Sequence, residues 1–478
     1  MSWIHKIAAS FSSSSGEKPV YYENFGHKVK WSPLHPSHEE AAALRSRWDK
    51  LADESLARLV AVKGERDLYT TLKEEHQNDD VLGQLWTEVN TIPEWVDWEQ
   101  IQRGQDVYYR YAIAIVAGLT YSSLLGGMGA HKIAEVLART GGFSKSVAKR
   151  RMFETTQHIL QCTRSLESIK PGGDGHMSSI KVRLLHSAVR GRILKLREKN
   201  PEYYDLEEFG MPINDFDSIA TILSFSATIL MISLPKQGIF PTRREVADYM
   251  AFWRLVAYYV GCPTDVFATP ELARAYTEYI LVHDIKPSET SRILSQNIIA
   301  SIANTPPSYP SADFLVATAR WLNGNELCDE LGLPQAPFFS KVLVFAQCIF
   351  ACYIGYSSRI FPGFDKRKIE TTKRIMLKIL VSNDGLGGLT NFEFQFVPQL
   401  TTKTEAGSIE AMDLKWKEMR GSSEKRNAKV LIIFCVFLGI MGLVGMWLFM
   451  KIVQFVGPSL FGPAAVGFTI ATQNGVSI

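Results

Sequence analysis

The sequence predicts an all-α fold: a single multi-helix globular domain with apolar central helices, followed by one C-terminal transmembrane helix. Three observations carry that expectation. Helix-start signals recur through residues 36–384, apolar residues follow them at helical rather than alternating spacing, and one uncharged run near the C-terminus is long enough to cross a bilayer. Long alternating runs of the kind that make strands are missing, and no repeat of about 20–50 residues suggests a solenoid.

The elements can be justified in order. Residues 1–35, with one short apolar patch and a serine run, read as a flexible N-terminus without a secretory signal. The helical domain, 36–384, opens on Ser37-His-Glu-Glu40, a capping box followed by Ala41, Leu44, Trp48 and Leu51 at helical spacing. Thr242-Arg-Arg-Glu245 repeats the capping box, and Thr269-Pro270-Glu271 places threonine at the N-cap with proline at the first helical position. Three strongly apolar segments, 111–125, 219–234 and 342–356, read as central core helices that line a deep apolar pocket. Residues 385–429 accumulate Gly, Thr, Ser and charge, as a linker with a basic juxtamembrane end. Residues 430–450, VLIIFCVFLGIMGLVGMWLFM, carry no charge. As a helix they span roughly 30 Å, the thickness of a hydrocarbon core. Lys415, Lys417, Arg420, Lys425, Arg426 and Lys429 precede this run, and no basic residue follows Lys451. The positive-inside rule therefore expects a single-pass protein with its main domain in the cytosol and a short tail, 451–478, across the membrane.

Composition narrows the function classes. The 478 residues are 46% hydrophobic and 21% charged, with 52 Lys and Arg against 49 Asp and Glu, a net charge of +3. That is too apolar for a disordered chain and too neutral to bind nucleic acid by bulk charge, so no nucleic-acid partner is expected. Six cysteines scattered without a CxxC pair fit a reduced domain rather than a disulfide scaffold or a thiolate zinc site.

The residues that could carry chemistry cluster between 150 and 197. In KVRLLHSAVRGRIL, Arg183, His186 and Arg190 stand at i, i+3 and i+7, within about 60° of one another on a helix. A neutral imidazole can bind a metal and guanidiniums pair with carboxylates, so the trio suits an anionic, metal-bearing ligand; haem, with an iron and two propionates, meets that description. On the helix before it, RRMFETTQHILQ, the residues Arg151, Glu154, Thr155 and His158 share a face. Glu135, in HKIAEVLART, is placed to reach the same cavity as an acid or base.

The run Arg151-x-x-x-Thr155, RLLHSAVRGRI around His186, GMPINDFDSIATILSFS (210–226) and PTRREVADYMAFWRLVAYYVG (241–261) together resemble a haem-dependent oxygenase family. It includes the bacterial rubber oxygenases of the latex-clearing type and the fungal endoplasmic-reticulum oxygenase of mycophenolic acid biosynthesis. The resemblance covers a little under half the chain. It implies a b-type haem with His186 as proximal iron ligand, O₂ as co-substrate, and Arg151, Thr155 and Glu135 around the distal pocket, with Glu135 as acid/base. It also implies oxidative cleavage of a C=C bond in a prenylated or other isoprenoid substrate, and an endoplasmic-reticulum membrane, from which the substrate could enter laterally. Where rubber oxygenases have a distal lysine three residues after the arginine, this chain has Glu154.

Two rival readings stand beside this one. A non-haem di-iron enzyme would use Glu135, Glu154, His158 and His186, although no Glu-x-x-His occurs twice. A non-enzymatic membrane-anchored protein would hold a lipid or partner in the apolar pocket.

Overall fold

A computed structural model describes residues 19–140, 143–392 and 423–461. Part of the N-terminal segment expected to be flexible is ordered. β1 (Tyr21–Asn24) and β2 (His27–Lys30) form an antiparallel hairpin with Tyr21 opposite Lys30. Its two-residue turn, Phe25-Gly26, has φ of 46° and 74°, matching the positive-φ turn that a twisted hairpin favours. The Asn24 side-chain amide ties the hairpin to the domain by donating to the Leu281 and Ile285 carbonyls, 3.0 Å each. The rest of the expected N-terminal segment, linker and tail, at 1–18, 393–422 and 462–478, lies outside the described residues.

Apart from an isolated bridge between Ala130 and Lys286, the other regular elements among the described residues are helical. α1 (His38–Arg45) starts on the Ser37 capping box, with the Glu40 amide donating to Ser37 and the Ser37 amide donating to the Glu40 carboxylate. α2 (Lys50–Val62), α3 (Asp80–Asn90) and α4 (Trp98–Arg110) are capped by Asp49, Asp79 and Asp97. α5 (Ala112–Ala117) runs into a π-helical stretch, Gly118–Leu125. α6 (His131–Thr140), α7 (Ala148–Thr163), the long α8 (Asp174–Lys199) and α9 (Asp215–Phe225) follow. α10 (Arg243–Tyr259) and α11 (Pro270–Tyr279) begin at the Thr242 capping box and the Thr269 cap with Pro270 in the first turn. α12 (Glu289–Ile302), α13 (Ala312–Asn323), α14 (Phe338–Ile360) and α15 (Pro362–Val381) complete the domain.

Two large apolar clusters and three smaller ones fill it. One large cluster centres on α4, α9 and α10, the other on α12 and α13. The α4–α10 crossing depends on Gly104: a Cβ there would lie 2.4 Å from the Asp248 carbonyl oxygen and 2.7 Å from Phe252 Cβ, so only hydrogen allows this approach. Beside it, Arg103 donates to both Asp248 carboxylate oxygens at 2.8 and 3.1 Å.

Two of the three apolar segments are central as expected, and the third is not. The stretch from α5 through the first π segment, and α9 with its continuation, are largely buried. α14 instead lies at the surface against α13 and α15 and buries only one narrow side, including Val344, Cys348, Ala351 and Gly355. Phe345, Ile349 and Tyr353 on its other side are exposed. Uniform hydrophobicity signals burial only if neighbours cover every side, and α14 has neighbours on one.

Residues 420–478 form a separate unit. Its described part is one helix, α16 (Ser423–Phe461), which contains the apolar stretch Ile432–Ile452, 21 residues with none buried by protein. The expected run at 430–450 therefore lies inside a longer helix.

Candidate functional site

A cavity of about 1060 Å³ lies between the two large apolar clusters. That is at the upper end of the roughly 300–1,000 Å³ usual for small-molecule sites. Its wall is chiefly aliphatic and aromatic, with Tyr108, Phe153, Leu185, Phe225 and Trp253 among the contributors. Three π-helical stretches, Gly118–Leu125, Ile229–Ser233 and Ile280–Asp284, all supply wall residues, including Thr120, Ile232 and Leu281. The π-helix is rare and recurs at functional sites, where the extra residue per turn redirects side chains.

The polar part of the wall comes from α7 and α8. These helices meet at Gly175, where a Cβ would lie 2.7 Å from Cys162 Cα. One turn beyond that contact Ser178 reaches His158: its oxygen lies 3.0 Å from Nδ1, while its hydroxyl donates to the Gly175 carbonyl at 3.1 Å. With the serine hydrogen on Gly175, Nδ1–H donates to Ser178 and Nε2 carries the lone pair, with Cys162 Sγ 3.7 and 3.8 Å from Nδ1 and Nε2. His186 also lines the cavity and makes no side-chain hydrogen bond within the described residues. Burial pushes both imidazoles down to about 4, with His186 lowering His158 further and the Arg190 and Arg151 charges lowering His186. Both rings are therefore neutral at pH 7.

That neutrality has a measurable consequence in the apoprotein. An unfolded histidine protonates near 6.5 and these two near 4, so as pH falls through that window the unfolded chain takes up protons the folded one refuses. Stability contributed by the pair is complete above 6.5 and lost towards 4, by up to about 3 kcal/mol per ring. The thermal midpoint is expected to drop between pH 7 and 5, and to drop less in a His158→Gln/His186→Gln double variant. Equal midpoints at the two pH values would count against two buried neutral rings.

The residues singled out in the sequence separate into two groups. Arg151, Thr155 and His186 line the cavity. Thr155 donates to the Arg151 carbonyl at 3.0 Å, and Arg151 donates to Glu154 at 2.9 Å. Glu154, which stands where rubber oxygenases have lysine, also lines the cavity and is flanked by Arg150 on its other side.

Glu135, Arg183 and Arg190 do not line it. On α6 the cavity side carries Ile133 and Leu137, and Glu135 is about 200° away around the axis. Its carboxylate accepts instead from Thr290, at 2.7 Å, and from Arg139. On α8 the cavity side carries Val182, Leu185 and His186, so the helix turns its arginines towards α2. Arg183 donates to Asp49 at 2.6 and 3.1 Å and to Glu88 at 2.8 Å. Arg190 donates to Asp53 and to the Pro212 and Ile213 carbonyls at 3.1 and 3.0 Å. Glu135, Arg183 and Arg190 are thus held by scaffold partners away from the cavity wall, and the geometry does not place them where an acid/base and carboxylate-binding groups are expected. The Lys and Arg side chains that line the cavity are Lys149, Arg151 and Lys236, and of these Arg151 lies near enough to His186 for its charge to lower the imidazole's pKa.

His158 is the site residue that sequence reasoning placed only in the di-iron alternative. Its signal was present, since it completes the helical face of Arg151 and Thr155. The di-iron alternative itself lacks a ligand set: among the described residues no three His, Cys, Asp or Glu side chains converge to hold a metal.

No curated protein matches the chain. Among solved structures, latex clearing protein LCP in the closed state is similar at 17% identity and a TM-score of 0.52, over 69% of this chain and 91% of that one. At that identity the likeness establishes the shared all-α fold. Residues 107–348, just over half of the chain, match the family described as ER-bound oxygenase mpaB/B'/rubber oxygenase, catalytic domain. This match takes in α7, α8 and nearly all of the cavity-lining helices, and the chain belongs to that oxygenase family.

Proposed function

We propose that the protein is a haem b-dependent oxygenase that cleaves a C=C bond in a prenylated or terpenoid substrate with O₂. The observation that carries this reading is His186: a neutral imidazole without a protein partner, on the wall of a large apolar cavity. An axial ligand of b-type haem needs that chemistry. His186 would hold the iron, and Arg151, with Lys149 on the same cavity wall, would face the propionates. When bound, the haem would supply the O₂ chemistry that a helical scaffold has no group to perform.

The chain's own residues would bind, orient and exclude water. The aliphatic and aromatic wall would hold an isoprenoid chain and keep solvent from the double bond. With Glu135 held away from the cavity wall, His158 Nε2 would accept an allylic proton and return it as the two carbonyl products form, its tautomer set by Ser178. Arg151, anchored by Glu154, would stabilise negative charge developing near it. In the net reaction one C=C bond is lost, and each carbon gains one atom of O₂, giving an aldehyde and a ketone from a trisubstituted alkene. The apolar helix α16, with its basic upstream flank, would anchor the protein in the endoplasmic-reticulum membrane with the catalytic domain in the cytosol.

The test is the absorption spectrum of full-length protein made with ample haem, followed by incubation with a panel of prenylated compounds under ¹⁸O₂. A Soret band and two carbonyl products, each bearing one heavy oxygen, are expected. Protein made with ample haem that shows no Soret band would sink the cofactor assignment. A bound prenyl compound that is never consumed would favour a non-enzymatic carrier.

A further inference from the structure

α14 and α15 present a surface that the oxygenase reading does not use. On α14, Lys341, Phe345, Ile349, Tyr353 and Ile360 follow one side of the helix, with Phe345 53%, Tyr353 63% and Ile360 67% exposed. Trp321 of α13 extends this side, its ring 6.3 Å from Phe345. The connection and the start of α15 continue it with exposed Phe361 and Phe364, and Ile375, Leu377 and Val381 lie further along. Single exposed apolar side chains are ordinary; a run of this size on two consecutive helices marks a surface that something covers.

The charges on α15 indicate what covers it. Lys366, Arg367, Arg374 and Lys378 are exposed on the same half of the helix as Phe364, Ile375 and Leu377. Of the helix's two carboxylates, Asp365 is buried against Arg110, and Glu370 pairs with Lys373 at 3.1 Å. A second copy docking here by two-fold symmetry would bring these cations towards one another, whereas anionic headgroups would complement them. Phenylalanines interleaved with Lys and Arg, with Trp321 and Tyr353 as amphipathic rings, make the composition of a helix lying in a membrane interface. The same chain carries the span-length helix α16, which keeps a bilayer within reach.

We propose that the outer face of α14 and α15 docks the catalytic domain onto an anionic lipid bilayer, independently of the transmembrane helix. The inner sides of the same helices line the cavity through Gln347, Thr372, Met376 and Ile379. Docking therefore sets the α14–α15 wall of the cavity against the lipid, the source of an apolar substrate.

The experiment places the photoreactive residue p-benzoylphenylalanine at position 353 or 364 of the full chain, reconstituted in nanodiscs of phosphatidylcholine and phosphatidylserine. Position 60, an exposed valine on α2, is the negative control; position 443 on α16 reports the anchor separately. After irradiation, phospholipid adducts at 353 and 364 are expected several-fold above those at 60. Their yield is expected to fall in pure phosphatidylcholine and in Arg374→Glu/Lys378→Glu protein. Adducts to a second copy or to the chain's own α16 would overturn the proposal in favour of a protein-covered face. Lipid adducts at 443 but none at 353 or 364 would overturn it while leaving the anchor standing. Equal yields with and without phosphatidylserine would overturn the part assigned to the basic residues.

Discussion

Full-length protein carrying His186→Ala is expected to be isolated without a Soret band, with its helical content by circular dichroism unchanged. A buried side chain with hydrogen-bonded neighbours would leave them unpaired when removed, at about 1–3 kcal/mol each. His186 makes no such bond within the described residues, so its loss strands nothing and only enlarges a cavity of about 1060 Å³. Loss of the band would then report loss of ligation and not of fold, and free imidazole added at millimolar concentration should restore part of it. His158→Ala serves as the contrast. Ser178 keeps its bond to Gly175 in that variant, so the band should persist while turnover falls. If His186→Ala keeps the band and His158→Ala abolishes it, the axial role belongs to His158 and the proton-accepting role proposed for it must be abandoned.

Much of the fold was legible because helix starts are local. The capping boxes at Ser37 and Thr242 and the Thr269-Pro270 start require only four consecutive residues, and each initiates a helix. The segment 111–125 was legible as a central helix because it is apolar all round. The same rule failed for α14, whose outer side carries Phe345, Ile349 and Tyr353, which no described element covers. What separates the two is the number of neighbours, a tertiary quantity that no window of sequence contains. The hairpin at 21–30 was missed because its strands have four residues each and alternate too briefly to register.

The site divides along similar lines. Helical periodicity correctly grouped Arg151, Thr155 and His158, but it fixes only angles around one axis. On α8 it put Arg183, His186 and Arg190 on one side, and the cavity edge happens to run between His186 and the arginines. On α6 it could not say that Thr290, 155 residues away, would occupy Glu135. The histidine that the resemblance implies as axial lies on the cavity wall, and the glutamate that it implies as acid/base lies in a buried ion pair. Placement of a side chain against a partner distant in sequence is where the sequence-based expectation ran out.

The arginine that frames His186 has a role of its own, and Arg190→Met should cost about 3–5 kcal/mol of domain stability, the range for removing one partner of a buried ion pair. Arg190 is among the largest fully buried side chains, and its guanidinium serves four acceptors, Asp53, Ser187 Oγ and the Pro212 and Ile213 carbonyls. Methionine replaces the aliphatic stem but leaves the Pro212 and Ile213 carbonyls without that donor. Asp53 is partly solvated and recovers some of its loss from water, which keeps the expectation away from the top of the range. A second cost works in the opposite sense to that recovery. Ile213 has a φ of +53°, a left-handed conformation that a β-branched residue resists, and Arg190 holds its carbonyl in place. That strained turn precedes Asn214, whose side chain caps α9. If strain is part of the cost, placing glycine at 213 removes it, and the penalty of Arg190→Met should be smaller in an Ile213→Gly background than in the native chain. Thermal or urea unfolding of the four proteins measures this coupling directly; equal penalties in the two backgrounds would assign the whole loss to the unpaired acceptors and none to the turn.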